Sequence, residues 1–310
     1  MTVTVLRTAE AWWVQTGDGA VRITTSAATT GQLLADRDAI DAAASGGPAI
    51  PVESLALLSP VTAPCRVVAQ MTNFASHAKD SGMDPASVPL TFFRKSSGSI
   101  SGPFDDVVKP AHVRLLDYEV EIGLVAGRTL HVGCQVDDLA DWVAGLVVTN
   151  DVSARDLQLP KTQFYEAKSY PSFTPVGPRL VLLDAGELKR LADLRLKLTV
   201  NDEVRQDTTA ADMIYQPVQA LRTLAGFQRL DPGDLLLTGT PVGTALSAPP
   251  KPVEVIGSLL PAAVKWRIFF ERQAKNPRYL RDGDVIEASI ATDDGAIDLG
   301  VQRTVVRHAP

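Results

Sequence analysis

The chain has 310 residues, 45% hydrophobic and 21% charged, with a formal net charge of −6 at pH 7. That length suits one large domain or two ordinary ones, and an acidic balance without a Lys/Arg block or aromatic–basic interleaving argues against a nucleic-acid partner. Apolar runs such as VAGLVV (143–148) are too short to cross a bilayer, the N-terminal MTVTVLRTAEAWW lacks a signal-peptide pattern, and Cys65 and Cys134 lack CxxC spacing, which points to a reducing, cytoplasmic setting.

Residues 1–60 read as a small N-terminal domain. AWWVQTGDGAVRITT (11–25) is a hairpin around Gly-Asp-Gly, and TGQLLADRDAIDAAAS (30–45) has helical spacing that GGP ends. PVESLALLSPVTAP (51–64), broken by prolines, reads as a linker. Residues 61–310 then form the expected catalytic domain. Its segments CRVVAQ, DYEVEIGLVAG, AGLVVTNDVS, GPRLVLLD, LRLKLTVNDEVRQ, GDLLLTGTP, GDVIEASI and GVQRTVVR have strand length and β-branched enrichment. Helices are expected at 136–145 and 217–227. Without steady βαβ alternation, the fold class is mixed α/β and strand-dominated, a β roll or barrel. An insert at 245–277 begins Pro-rich and ends in a helical pattern where Val264, Ile268 and Phe269 share a face; so long a connection marks a functional segment, here a cap on a pocket or part of a dimer contact.

In LLDYEVEIGLV (115–125), Asp117, Glu119 and Glu121 occupy alternate positions, which a strand sends to one face. Two carboxylates 6–7 Å apart repel by about 2–3 kcal/mol at an effective dielectric near 20. Such a cluster is either a solvated strand face or a hard-cation site, because divalent ions taking oxygen ligands relieve the repulsion. TNDVSARDLQ (149–158) supplies Asp151 at the end of an apolar strand; taken singly it is a turn cap, and beside acids a third ligand. In NFASHAKDSG, His77 and Asp80 are three apart, neighbours on a helical turn, and a His oriented by a carboxylate serves as a general base. Lys168 precedes an aromatic, Pro-rich segment and can steady an oxyanion. No GxGxxG, P-loop, nucleophile elbow or zinc-type His spacing occurs.

In this order, NFASHAKDSG, LTFFRKSSGSI, DYEVEIGLVAG, TNDVSARDLQ, AKSYPSFTPVGP, VNDEVRQDTTAADMIY, GDLLLTGTPVG and LRDGDVIEASI resemble the fumarylacetoacetate hydrolase family over roughly 60–244 and 278–307. The resemblance implies Mg²⁺ or Mn²⁺ held by Glu119, Glu121 and Asp151, with Asp117 in support. It implies substrate-binding roles for Arg155, Gln158 and Thr240, a catalytic Lys168, and a His77–Asp80 pair on a mobile lid over 71–85. The family's lid partner is a Glu; Asp80 is one methylene shorter. MTNF (71–74) replaces the family's Gly-x-Asn-Tyr, and Gln70 falls near the place where the animal enzyme has a further Asp ligand.

The activity this implies is hydrolysis of a C–C bond in a 1,3-dicarbonyl or acylpyruvate-like substrate by a homodimer. Decarboxylation or isomerisation of a 2-oxo acid at the same site is the alternative, and a non-catalytic binding protein is the remaining one.

Overall fold

The computed structural model describes residues 2–247 and 259–309. The strands of its two large sheets are β1 (Val3–Arg7), β2 (Trp12–Thr16), β3 (Gly19–Arg22), β4 (Ala49–Ile50), β5 (Val67–Gln70), β6 (Phe92–Lys95), β7 (Val107–Lys109), β8 (Val120–Ala126), β9 (Val143–Asn150), β10 (Leu180–Leu182), β11 (Leu194–Val200), β12 (Glu203–Thr209), β13 (Leu235–Leu237), β14 (Val285–Thr292) and β15 (Asp298–His308). Helices α1 (Thr30–Ala35), α2 (Arg37–Ala44), α3 (Ala75–Asp80), α4 (Arg155–Gln158), α5 (Pro217–Ala225) and α6 (Ala262–Gln273) lie around them.

Ten strands form one sheet in the order β4–β3–β2–β1–β10–β9–β8–β13–β5–β6, and five form a second in the order β12–β11–β14–β15–β7. The strand-dominated class expected from the sequence is what the chain adopts, as open sheets rather than a closed barrel. Along β8 every residue is buried, so it reads as an almost continuous apolar run. Val120, Ile122 and Leu124 join a core with Leu196, Leu198, Ile286 and Ile290 of the second sheet. On the other face Val125 and Val147 pack with Leu33 of α1 and Ile40 of α2. Alternation along β14, where every second residue is buried, covers one face of the smaller sheet and leaves the other to solvent.

The hairpin at 11–25 forms as expected, β2 pairing β3 antiparallel. Helical spacing at 30–45 becomes two helices, because the chain leaves helical geometry at Asp36 (φ −98°, ψ 55°). β1 pairs with β10, Val5 opposite Leu180, so the N-terminal segment extends the large sheet and shares its core.

Two local expectations fail. The helix at 136–145 is one short turn, Leu139–Asp141, capped by Asp138 and followed at once by β9. Buried on both faces, β9 has no alternation to separate it from a helix, and its β-branched Val147 and Val148 decide for strand. In the insert, α6 forms, but it buries Phe270 and Gln273 with Trp266 and Phe269 against the core, leaving Ile268 49% exposed. Positions 266, 269, 270 and 273 follow the 3–4 residue spacing of one helix face, which Val264 and Ile268 do not share. The Pro-rich start of the insert lies largely outside the described residues.

Candidate metal centre and active site

The site forms at one end of the large sheet, where β5 and β9 finish, β8 begins and the chain leaves β13. Glu119 and Glu121 project from the start of β8 and Asp151 from the residue after β9. All three are buried, and a carboxylate oxygen from each lies within 4.8 Å of the others. Backbone bonds fix this approach: Asp151 N–H donates to Glu119 O (2.8 Å), and Glu119 N–H to Asn150 Oδ1 (2.9 Å).

Asp117 does not join them. The extended run breaks between Asp117 and Val120, and its carboxylate accepts N–H bonds from Tyr118 (2.8 Å), Ala245 (2.7 Å) and Leu246 (3.1 Å) and the Arg155 Nε–H (2.8 Å). It thereby ties the root of the insert to Arg155. Alternate spacing brought Glu119 and Glu121 together; Asp117, one step further, is captured by backbone donors instead.

Three cations meet the acids. Arg155, at the start of α4, bonds Glu119 as well as Asp117, and donates to Gln158 Oε1 (2.7 Å). Lys168 bonds Glu119 and Asp151, the latter at 2.7 Å. Lys95, at the end of β6, bonds Asp151 and the Phe173 carbonyl (2.7 Å). Sequence reasoning quoted Lys95 only within LTFFRKSSGSI and gave it no role. Lys95 is two residues from Phe93, which lines the cavity, so both point to one side of β6, a relation that places Lys95 only once Phe93 is known to face the site.

Four carboxylates against three cations leave one acid in surplus, and among the described residues Glu121 is the one without a cation partner. Its carboxylate accepts a hydrogen bond from Gly239 N–H (2.7 Å). Burial, then Asp151 and Glu119, push its pKa well above the usual carboxylate value. Burial pushes Glu119 the same way, but Arg155 and Lys168 overcome it and hold that carboxyl well below the ordinary range. Burial lowers the Lys95 ammonium. At Lys168 the same burial effect is outweighed by Asp151 and Glu119, which raise its pKa. A buried carboxylate without a partner cation is the chemistry a divalent ion satisfies. The Glu119–Glu121–Asp151 set therefore fits Mg²⁺ or Mn²⁺.

These residues line an open cavity of ≈150 Å³ with His77, Phe93, Gln158, Phe164 and Thr240. A volume of that order admits benzene in an engineered apolar cavity, so a compact 2-oxo acid fits. Thr240 is already engaged, donating to Val120 O (3.0 Å) and accepting from Gln206 Nε2 (2.8 Å). His77 reaches the cavity from α3, and burial lowers its pKa below the ordinary imidazole value of 6.5, leaving the ring neutral at pH 7. Asp80, at the end of α3, is exposed, and among the described residues no hydrogen bond joins it to His77, whose Nδ1 has no partner. Gln70, at the end of β5, is 2% exposed, and neither side-chain amide atom has a partner among the described residues, a cost of about 1–3 kcal/mol for each unsatisfied group.

A fold of two packed sheets with a buried Glu-Glu-Asp set at strand ends defines a protein with a candidate site for a divalent cation. The family model for the fumarylacetoacetate (FAA) hydrolase C-terminal domain matches residues 66–307. The chain belongs to that family. The mitochondrial oxaloacetate tautomerase Fahd2a of Rattus norvegicus is 34% identical over 208 residues, 66% of this chain and 64% of that protein; this chain thus aligns with slightly under two thirds of that relative's length. Among solved structures, a probable 2-hydroxyhepta-2,4-diene-1,7-dioate isomerase from Mycobacterium abscessus matches at TM-score 0.75 and 29% identity over the whole of both chains. Maleylpyruvate hydrolase from Sphingobium sp. SYK-6, in complex with manganese(II) and pyruvate, matches at 0.72 and 25%, also over both whole chains. Among the described residues no helix is long and apolar enough to cross a membrane.

Proposed function

We propose that this chain is a divalent-cation-dependent enzyme that moves a proton between carbon and oxygen of a 2-oxo acid bearing a second carbonyl, a keto–enol isomerisation. The observation that carries this reading is the placement of His77: an imidazole in the cavity, apart from Asp80, with Lys168 lining the same cavity. The names of the rat tautomerase and the mycobacterial isomerase support it.

Mg²⁺ or Mn²⁺, held by Glu119, Glu121 and Asp151, would supply Lewis-acid polarisation of the substrate carbonyl. With a divalent ion in place the cluster's charge becomes one positive, which suits an anionic 2-oxo carboxylate. Arg155 has guanidinium N–H groups left over from its bonds to Asp117, Glu119 and Gln158, and with Gln158 it orients that carboxylate. His77 takes a proton from the carbon between the carbonyls, and the C–H electron pair shifts to the carbonyl oxygen. Lys168 Nζ, whose pKa is raised, stays protonated and faces the developing oxyanion with its remaining N–H. Return of the proton from His77 to oxygen completes the enol.

A second reading, C–C hydrolysis, is favoured by the pyruvate and manganese of the Sphingobium enzyme and requires Asp80 to turn and orient His77 toward a water. Closure of the 71–85 segment would bring it there. The test is deuterium uptake at the carbon between the carbonyls of oxaloacetate and acetopyruvate in D₂O with Mn²⁺, followed by NMR. Exchange without carbon fragments supports isomerisation; two fragments favour hydrolysis; CO₂ release indicates decarboxylation. His77→Ala should abolish exchange and leave Mn²⁺ affinity unchanged; retained exchange in that variant refutes the proposed base.

A homodimer in a cytoplasmic setting is our reading of the assembly and compartment. The free thiols Cys65 and Cys134 support the latter.

A further inference from the structure

Gln70 is a buried side chain that the catalytic scheme leaves unused. It closes β5, next to the segment that carries His77, and lines the same cavity as Glu121, Phe93 and Thr240. Both polar atoms of its amide are buried and have no partner among the described residues. β5 fixes its backbone: Gln70 pairs with Phe92 of β6, and β5 runs parallel to β13. A buried amide without protein partners in the wall of a cavity is a site for a ligand that carries hydrogen-bonding groups.

The type of group follows from the surrounding charge. Arg155 and Lys168, the cations that line the cavity, are already bonded to Asp117, Glu119 and Asp151. Gln70 brings one donor group and one acceptor but no charge. A carboxylate there would meet no cation of its own, whereas a carbonyl or enol hydroxyl would be satisfied. An amide also serves both tautomers, donating Nε2–H to a keto oxygen and accepting an enol O–H at Oε1.

We propose that Gln70 is the specificity residue for the second, uncharged oxygen of the substrate, the 4-oxo or 4-enol group of an acylpyruvate. This rests on the 2-oxo acid reading given above. Gln70→Met keeps size and removes both hydrogen-bonding functions. Calorimetric titrations on the full chain would use Mn²⁺ alone, then oxalate, then acetopyruvate on the Mn²⁺-loaded protein. The expected result is about a tenfold loss of acetopyruvate affinity, with Mn²⁺ and oxalate binding unchanged. Gln70→Leu, which likewise lacks both functions, should lose a similar factor, while Gln70→Asn with its shorter amide should recover part of it. Equal losses for oxalate and acetopyruvate, loss of Mn²⁺ binding, or no loss at all would each overturn the inference. If the wild-type protein binds acetopyruvate and Gln70→Met binds it as well, Gln70 alone is wrong. If wild type binds no acylpyruvate, the functional reading and this inference fall together. Melting temperature serves as the control, because exchange of an unpaired buried amide for Met should not lower it.

Discussion

Two clusters of acids and bases in this chain carry a surplus of carboxylate, and they resolve it in opposite ways. On the surface, Arg190 and Arg195 meet Asp193, Asp207, Asp293 and Asp294 at 2.8–3.1 Å. Two cations face four acids, yet Asp293 and Asp294 are held below the ordinary carboxylate value. Asp294 is held at about 2 by the Thr292 hydroxyl, the Ala296 N–H and Arg190. Inside, three cations face four acids, and Glu121 is driven the other way by burial and its neighbours. Water screens the first surplus strongly and the buried second one far less. Composition is thus a poor guide to a charged site; a missing unit of charge among buried groups is a good one.

The most severe way to break the interior cluster is Asp151→Ala. It removes a proposed cation ligand and leaves Lys95 and Lys168 buried with fewer partners, a loss of about 3–5 kcal/mol in folding stability. Chemical denaturation and Mn²⁺ calorimetry should show both effects; a variant with wild-type Mn²⁺ affinity would remove Asp151 from the centre. Next in size is Lys168→Met, which should lower turnover by roughly 10²–10³-fold while keeping Mn²⁺ binding, since two carboxylates are released to the ion. Loss of Mn²⁺ in that variant would show Lys168 to be a structural strut rather than a catalytic group.

The sequence made part of this contrast legible. Glu119 and Glu121 were readable from strand alternation, and Asp151 from its place at an apolar strand's end. Lys168, Arg155 and Gln158 came through the ordered family motifs. Lys95 was not readable as a site residue, because a lysine after two aromatics looks the same whether it snorkels to water or pairs with a buried Asp. The route of Asp117 was hidden too, since its partners Ala245 and Leu246 lie 128 and 129 residues away. Pairing of Val3–Arg7 with Leu180–Leu182 likewise has no local signature; it joins the N-terminal strands to the large sheet and so bears on residue 60 as a boundary. Truncating residues 1–60 and measuring cooperative unfolding would settle how independent that unit is.

Cation removal sharpens the comparison with a smaller, pH-dependent effect. In the cation-free protein Glu121 has its pKa raised by folding, so its contribution to stability is full below the ordinary carboxylate value of 4.5 and is lost as pH rises through the folded value. His77 has the opposite sign: its pKa is lowered, and its contribution is lost as pH falls below 6.5 toward the folded value. A bound cation keeps Glu121 ionised and removes the first loss. The rise in melting temperature on adding Mg²⁺ should therefore grow as pH rises above the ordinary carboxylate value and through the raised value of Glu121, reaching roughly 5 °C at a hundredfold excess over Kd. EDTA should reverse it, and Glu121→Gln should flatten it. A Mg²⁺ effect independent of pH would mean that Glu121 is not the surplus acid.

The smallest expected change is on the surface. Arg195 bonds Asp293 and Asp207 at 2.8 and 2.9 Å, geometry as good as that of Arg155 with Asp117. If short distances alone set the value of an ion pair, Arg195→Ala would cost as much as breaking the interior cluster. Exposed pairs exchange their partners for water at little net cost, so the melting temperature should move by about one degree or less and turnover not at all. Raising NaCl should erase even that difference, because screening acts on these charges and not on the buried ones. A loss comparable to that of Asp151→Ala would show that the exterior pairs are not governed by solvent.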